Sequence, residues 1–199
     1  MTLSIHDREI LDALIREGVK RTTDRLEKMT GAKWGIMSAS VREALPVQLL
    51  QSHHKSHDDC LGAYFHSSAL VPLEFLITFN THGANELAKA ILMPFRERMK
   101  GVSDPIALTI GEVANFLAQS VLSVIADRFN FMIIPKSPEV LIGRKVEILS
   151  KALSAYDGRE DMIMISQVDI FSEKLAVECN LLIIVNAAMV DKLLKTTGG

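Results

Sequence analysis

A glutamate and an asparagine three positions apart on a long apolar segment are the residues here best placed to do chemistry. Residues 108–129, LTIGEVANFLAQSVLSVIADRF, carry the pair as Glu112 and Asn115. Val113, Leu117, Val121, Val124 and Ile125 recur at the spacing of a buried helical face and account for most of the segment as core. Glu112 and Asn115 fall off that face. At about 100° per residue, Asn115 lies about 60° from Glu112 around the axis, with Gln119 about 20° to one side and Ser123 about 20° to the other. The helix thus presents an amide-and-carboxylate stripe opposite its apolar stripe. A carboxylate beside a carboxamide can pair with a cation and also hydrogen-bond a water or an oxyanion. Glu112 has a structural reading as well: Thr109-Ile-Gly-Glu112 has the form of a capping box, with Thr109 as the cap. Asn115 is harder to dismiss, because asparagine is a mediocre helix-interior residue whose amide competes with the backbone; its plain alternative is a neutral surface substitution.

Other chemistry-bearing residues form no comparable arrangement. The stretch QSHHKSHDDC, residues 51–60, offers His53, His54, His57, Asp58, Asp59 and Cys60. These types can ligate zinc or another transition metal, but their spacing matches no standard closed site. A solvated polar loop is the reading adopted, and no metal is assigned. His66 and His82 read as strand and turn residues. The two cysteines, Cys60 and Cys179, are far apart and form no metal or redox spacing, which fits a reducing compartment. Cys179 sits in an apolar strand pattern as a buried hydrophobe, the methionines read as core filler, and Trp34 as an anchor for the first strand. The run RERMK, residues 96–100, reads as a solvated connector.

The chain has 199 residues, 48% hydrophobic and 23% charged, with a formal net charge of −2. That balance is globular, and it argues against non-specific binding to nucleic acid or anionic membranes, leaving a protein as the expected partner. The N-terminus, MTLSIHDREILDAL, mixes charges into its apolar pattern and does not read as a signal peptide. No uninterrupted apolar run reaches bilayer-spanning length. The expectation is a cytoplasmic, soluble protein.

The elements that must position Glu112 and Asn115 come in the same order twice. Residues 4–29 read as a helix opened by a Ser4/Asp7 capping box and stopped at Gly31. Extended segments follow at 33–43, 61–67 and 73–79, with a polar loop at 51–59, then a short helix at 83–92. After a charged connector at 93–105, a long helix at 109–129 begins a second series. Extended segments at 131–135, 139–148, 162–171 and 175–185 lead to a short helix at 187–195. This is a duplicated unit of helix, strands and short helix, with pseudo-repeat halves 1–100 and 101–199. Two half-cores of this size are marginal alone. The expected fold is therefore one α+β domain over 1–199, pseudo-symmetric, with a continuous antiparallel-rich sheet and the long helices packed on it. Residues 181–185, LLIIV, read as a central strand covered on both faces.

In this organisation the chain resembles the CheC/CheX/FliY family of bacterial chemotaxis and flagellar-switch proteins, and CheC in length and duplication. Residues 11–31, LDALIREGVKRTTDRLEKMTG, resemble the first family helix, and 108–122, LTIGEVANFLAQSVL, the second. ALVPLEFLITFNTHGANELAKAIL and LAVECNLLIIVNAAMVDKLL each resemble the final strand and short helix. The family helix opens with Ser or Asp, has Glu four residues on and Asn three after that. Glu112 and Asn115 match the second copy, with Leu108 at the opening position and Thr109 one residue along. In the first copy Asp12 fills the opening position, but Arg16 replaces the Glu and Val19 the Asn.

The resemblance implies one working site that accelerates loss of phosphate from the phospho-aspartate of a CheY-like response regulator. Glu112 would dock to a lysine of the partner and Asn115 would orient the attacking water. Thr109, Gln119 and Asp12 would contact the partner. The chain would need no cofactor of its own, since the partner supplies Mg²⁺ with its aspartyl phosphate. A CheD-like deamidase is a second partner by analogy, and either a monomer or a dimer is compatible. Phosphoryl transfer needs positioning and electrostatics more than covalent help, so two polar side chains can suffice. The alternative is a non-catalytic adaptor or flagellar-switch-like protein that binds receiver domains or other chemotaxis proteins, which the lost first motif favours.

Overall fold

Ser4 caps the first helix as its spacing predicts. Its hydroxyl accepts from the Asp7 amide at 3.1 Å and the Asp7 carboxylate accepts from the Ser4 amide at 3.2 Å, satisfying two orphan donors. Helix α1, Ile5–Thr30, then runs until Gly31 turns left-handed at φ 62°, which costs glycine little. The computed structural model describes residues 4–53, 59–67, 72–95, 101–130, 136–156 and 162–197. After α1 come β1 (Gly35–Ala44), α2 (Pro46–His53), β2 (Asp59–Ser67), β3 (Leu73–Asn80) and α3 (Thr81–Leu92). The series then repeats as α4 (Pro105–Phe129), β4 (Glu139–Arg144), α5 (Lys145–Leu153), β5 (Ile163–Ser172), β6 (Val177–Asn186) and α6 (Ala187–Thr197).

The α+β architecture is as expected. All strand pairs are antiparallel and form a six-stranded sheet in the order β1-β5-β6-β3-β2-β4. Exchanging each strand for its counterpart in the other series gives the same order read from the opposite edge. The central pair β3–β6 joins the two series, and each series lends its first strand to the other: β1 pairs with β5, and β4 with β2. Along β6 the side chains alternate, so Leu181, Ile183 and Val185 join one apolar cluster while Leu182 and Ile184 join another. The first cluster lies under α1, α3 and α4, the second under α2 and α5. The apolar run at 181–185 is thus covered on both faces.

On the first face α1 and α4 touch closely. A Cβ on Gly18 would stand 2.7 Å from the Val121 Cα, so only glycine permits this approach. Gly18 faces Val121 while Arg25 faces Phe116, so the helices run antiparallel.

Helices α2 and α5 were not expected. Residues 139–148 read as one extended segment, but the strand stops at Arg144 and α5 buries Ile148, Leu149, Ala152 and Leu153 on the second face. The polar loop expected from residue 51 begins inside α2, whose Leu49 is buried. Each helix is too short for its period to stand out from the neighbouring β-branched residues, and the uncovered second face of the sheet decides the matter. The expected strand at 131–135, the connector at 96–100 and loop residues 54–58 lie outside the described residues. Helix α4 starts at Pro105 rather than near Thr109, with Asp104 as its cap accepting from the Ala107 amide at 2.9 Å. By length and composition α4 could also be taken for a bilayer-crossing helix, contrary to the sequence reading. Its apolar stripe is instead part of the core, through Val113, Leu117 and Val121.

Candidate functional site

The Asp104 cap and Pro105 settle where α4 begins, and the buried stripe settles its rotation. Glu112 and Gln119 are consequently exposed and Asn115 half-buried, all on the side away from the core. Glu112 has no hydrogen-bond or ion-pair partner among the described residues. The Asn115 Oδ1 accepts from the Gln119 Nε2 at 3.2 Å, leaving the Asn115 amide nitrogen without a described acceptor. Glu112, Asn115 and Gln119 line one open cleft of about 620 Å³, together with Leu108 and Gly111 of α4 and residues 136–138 and Val140 opposite. A Cβ on Gly111 would come within 3.2 Å of the Val140 Cγ2, so the glycine keeps the helix close to that wall. The wall is tied to the sheet by the Lys136 amide, which donates to the His66 carbonyl at 3.3 Å.

Lys136 lines the same cleft as Glu112. Sequence reasoning missed it, and no local signal could have found it, because only the fold brings residue 136 beside α4. The cleft therefore holds one anion, one cation and two carboxamides: groups that can pair with a charged partner and orient a water, matching the chemistry read from Glu112 and Asn115.

The other residues proposed from sequence lie elsewhere. Thr109 is buried, 6% exposed, and its hydroxyl donates to the Pro105 carbonyl at 2.7 Å. It lies one turn inside α4 and does not cap it, which overturns the capping-box reading of Glu112. Asp12 is on α1 outside the cleft, held by the Arg16 Nε at 2.6 Å, while Arg16 also donates to the Ala39 carbonyl at 3.3 Å. Val19, at the position of the family's Asn, is fully buried in the first cluster. The first motif is therefore occupied by an ion pair and a core side chain.

No group of three or more potential metal ligands converges among the described residues. Of the histidine-rich stretch, His53 ends α2 with its Nδ1 3.0 Å from the Leu49 carbonyl, and burial pulls its pKa below the ordinary imidazole value. Cys60 is buried at the start of β2.

No family model matches this sequence, and no curated protein is similar to it in sequence. Solved structures are similar in fold. FliY of Thermotoga maritima aligns with a TM-score of 0.72 over 100% of this chain and 98% of its own, at 12% identity. FliM from the Helicobacter pylori FliM–SpeE complex gives 0.67 over 98% and 96%, at 10% identity. CheX of Desulfovibrio desulfuricans gives 0.56 over 87% and 99%, at 14% identity. The chain has the fold shared by CheX and FliY, the one that the repeated element order and the α4 motif implied.

Proposed function

We propose that the chain acts in chemotactic or flagellar-switch signalling, as a phosphatase that hydrolyses the aspartyl phosphate of a CheY-like receiver domain at α4. The observation that carries this reading is that Glu112 and Asn115 open together into one cleft while no structural role accounts for either. Glu112 caps nothing and pairs with nothing among the described residues, and Asn115 bonds only another amide of the stripe. The Glu112 carboxylate pairs with a lysine of the receiver. The Asn115 carboxamide holds a water in line with the acyl phosphate. The water oxygen bonds to phosphorus, the bond to the aspartyl oxygen breaks, and the products are a free carboxylate and inorganic phosphate that keeps the water's protons. Mg²⁺ held by the receiver would neutralise charge on the phosphoryl oxygens.

Phosphate release from phosphorylated receivers, with and without the protein, tests the reading. Asn115→Ala should lower the acceleration about 10²-fold or more, as loss of a positioned transition-state donor does. Glu112→Ala should act mainly on KM. An unchanged rate in Asn115→Ala refutes the assignment.

A second reading, a non-catalytic adaptor or switch component, is favoured by the likeness to FliM and by the loss of the first motif to Arg16 and buried Val19. FliM itself has been solved in complexes with FliG and with SpeE. Receiver binding by the wild type without faster phosphate loss would select that reading.

A further inference from the structure

The outer face of α1 beside the cleft carries cations that the proposed chemistry does not use. Arg21, Asp24, Arg25 and Lys28 of α1 and Gln119, Ser120 and Ser123 of α4 line an open groove of about 530 Å³. Gln119 belongs to both this groove and the Glu112/Asn115 cleft, so the two form one continuous surface. Four residues separate Gln119 from Asn115 and eight separate Ser123 from it, which puts the groove about 6–12 Å along the axis. Two of the three cations are held in place. The Arg25 guanidinium carbon lies 4.9 Å from the centroid of the Phe116 ring, and Phe116 is the sequence neighbour of Asn115. Arg21 is paired with Glu17 at 2.6 Å. Lys28 has no ion-pair partner among the described residues. Asp24 is the one carboxylate of the groove wall, against three cations.

Resting on the receiver reading above, we propose that Arg21, Arg25 and Lys28 form a docking surface for an acidic protein face adjoining the partner's phosphorylation site. A protein that holds Mg²⁺ beside an acyl phosphate does so with carboxylates, so its surface around that site is acidic. A cationic stripe one or two helical turns from Asn115 complements such a surface and steers the encounter. The two long helices then divide the work. In α4 the motif survives and carries the chemistry; in α1, where Val19 has gone to the core, the outer face supplies attraction. A nucleic acid or an anionic membrane fits less well, because Glu17 and Asp24 interrupt the stripe and the whole chain is net negative at −2.

The test is the double variant Arg25→Glu/Lys28→Glu, with Arg144→Glu/Lys151→Glu, exposed at α5 on the other face of the sheet, as a control of equal charge change. The probes are receiver domains loaded with beryllofluoride for binding and with phosphate for turnover. In low salt the groove variant should raise Kd and KM about tenfold with kcat unchanged, and the effect should shrink at about 0.5 M salt. The control should bind like the wild type. Lys28→Glu alone, at an exposed site without a described contact, should raise Kd about threefold and guards against a folding defect in the double variant.

Groove variants that bind as tightly as the control would overturn the docking surface. So would wild-type binding to phosphatidylserine vesicles or duplex DNA as tight as to a receiver. If Asn115→Ala loses hydrolysis while the groove variants bind normally, docking fails and the phosphatase reading stands. If the wild type hydrolyses nothing yet charge reversal weakens binding, the phosphatase reading fails and docking stands. Binding to no receiver would overturn both.

Discussion

Restoring the family's asparagine to α1 should damage the protein rather than create a second site. Val19→Asn places a carboxamide where the native side chain is 0% exposed, in the cluster that includes Ile15, Val113 and Leu117. Losing the buried apolar side chain costs about 1.5–3 kcal/mol. An amide left without partners in that environment costs about 1–3 kcal/mol more. The sum, about 2.5–6 kcal/mol, is a large part of the 5–15 kcal/mol that holds an ordinary domain together. For a chain of this length it corresponds to roughly 5–24 °C in Tm. Urea denaturation followed by circular dichroism would measure it, with Asn115→Ala as the matched change on α4, expected within about 0.5 kcal/mol of wild type because that side chain belongs to the outer stripe. A loss below about 1 kcal/mol for Val19→Asn would refute the reasoning, since it would mean that the amide finds water or a partner at a position that looks sealed.

Gly18→Ala should destabilise by about 1–2 kcal/mol, opposite in sign to an ordinary helix glycine, because the new Cβ meets the Val121 backbone and the overpacking exceeds the propensity gain of about 1 kcal/mol; equal or greater stability in urea would contradict it. His53 provides a pH test. Its folded pKa is lowered by burial, so the unfolded chain takes up the proton first as pH falls below about 6.5, and stability drops across that window down to the folded pKa. In His53→Gln the fall in denaturation midpoint between about pH 7.5 and pH 5.5 should be smaller than in wild type. Burial, with Asp169 nearby, raises the Cys179 thiol pKa, and Cys60 is also buried, so neither should react with a disulfide reagent until the chain unfolds. Fast labelling of two thiols in the native protein would contradict their placement.

Much of the fold and part of the site were readable without coordinates. The Ser4/Asp7 box, Gly31, and the apolar spacing of the two long helices are local patterns, and local hydrogen bonding and burial periodicity make them legible. The central strands β3 and β6 were readable for the same reason, each carrying a run of apolar residues such as 75–77 and 181–185. Helices α2 and α5 were not, because each is a few turns of mixed composition whose state is decided by the sheet face it covers. The placement of Glu112 and Asn115 on the outer side of α4 followed from helix phase alone.

By itself, then, the sequence determined the repeated order of elements, the two long helices and the polar stripe that carries Glu112 and Asn115, because each depends on residues within a few turns of one another. Only the tertiary structure decided that β1 and β4 exchange between the two series, that Thr109 is sealed and Val19 belongs to the core. It also brought Lys136 to the cleft and the α1 cations alongside the α4 stripe. These depend on which distant surfaces meet, and a contact such as Gly18 against Val121 is settled by the packing of the whole sheet and its helices, not by its sequence neighbours.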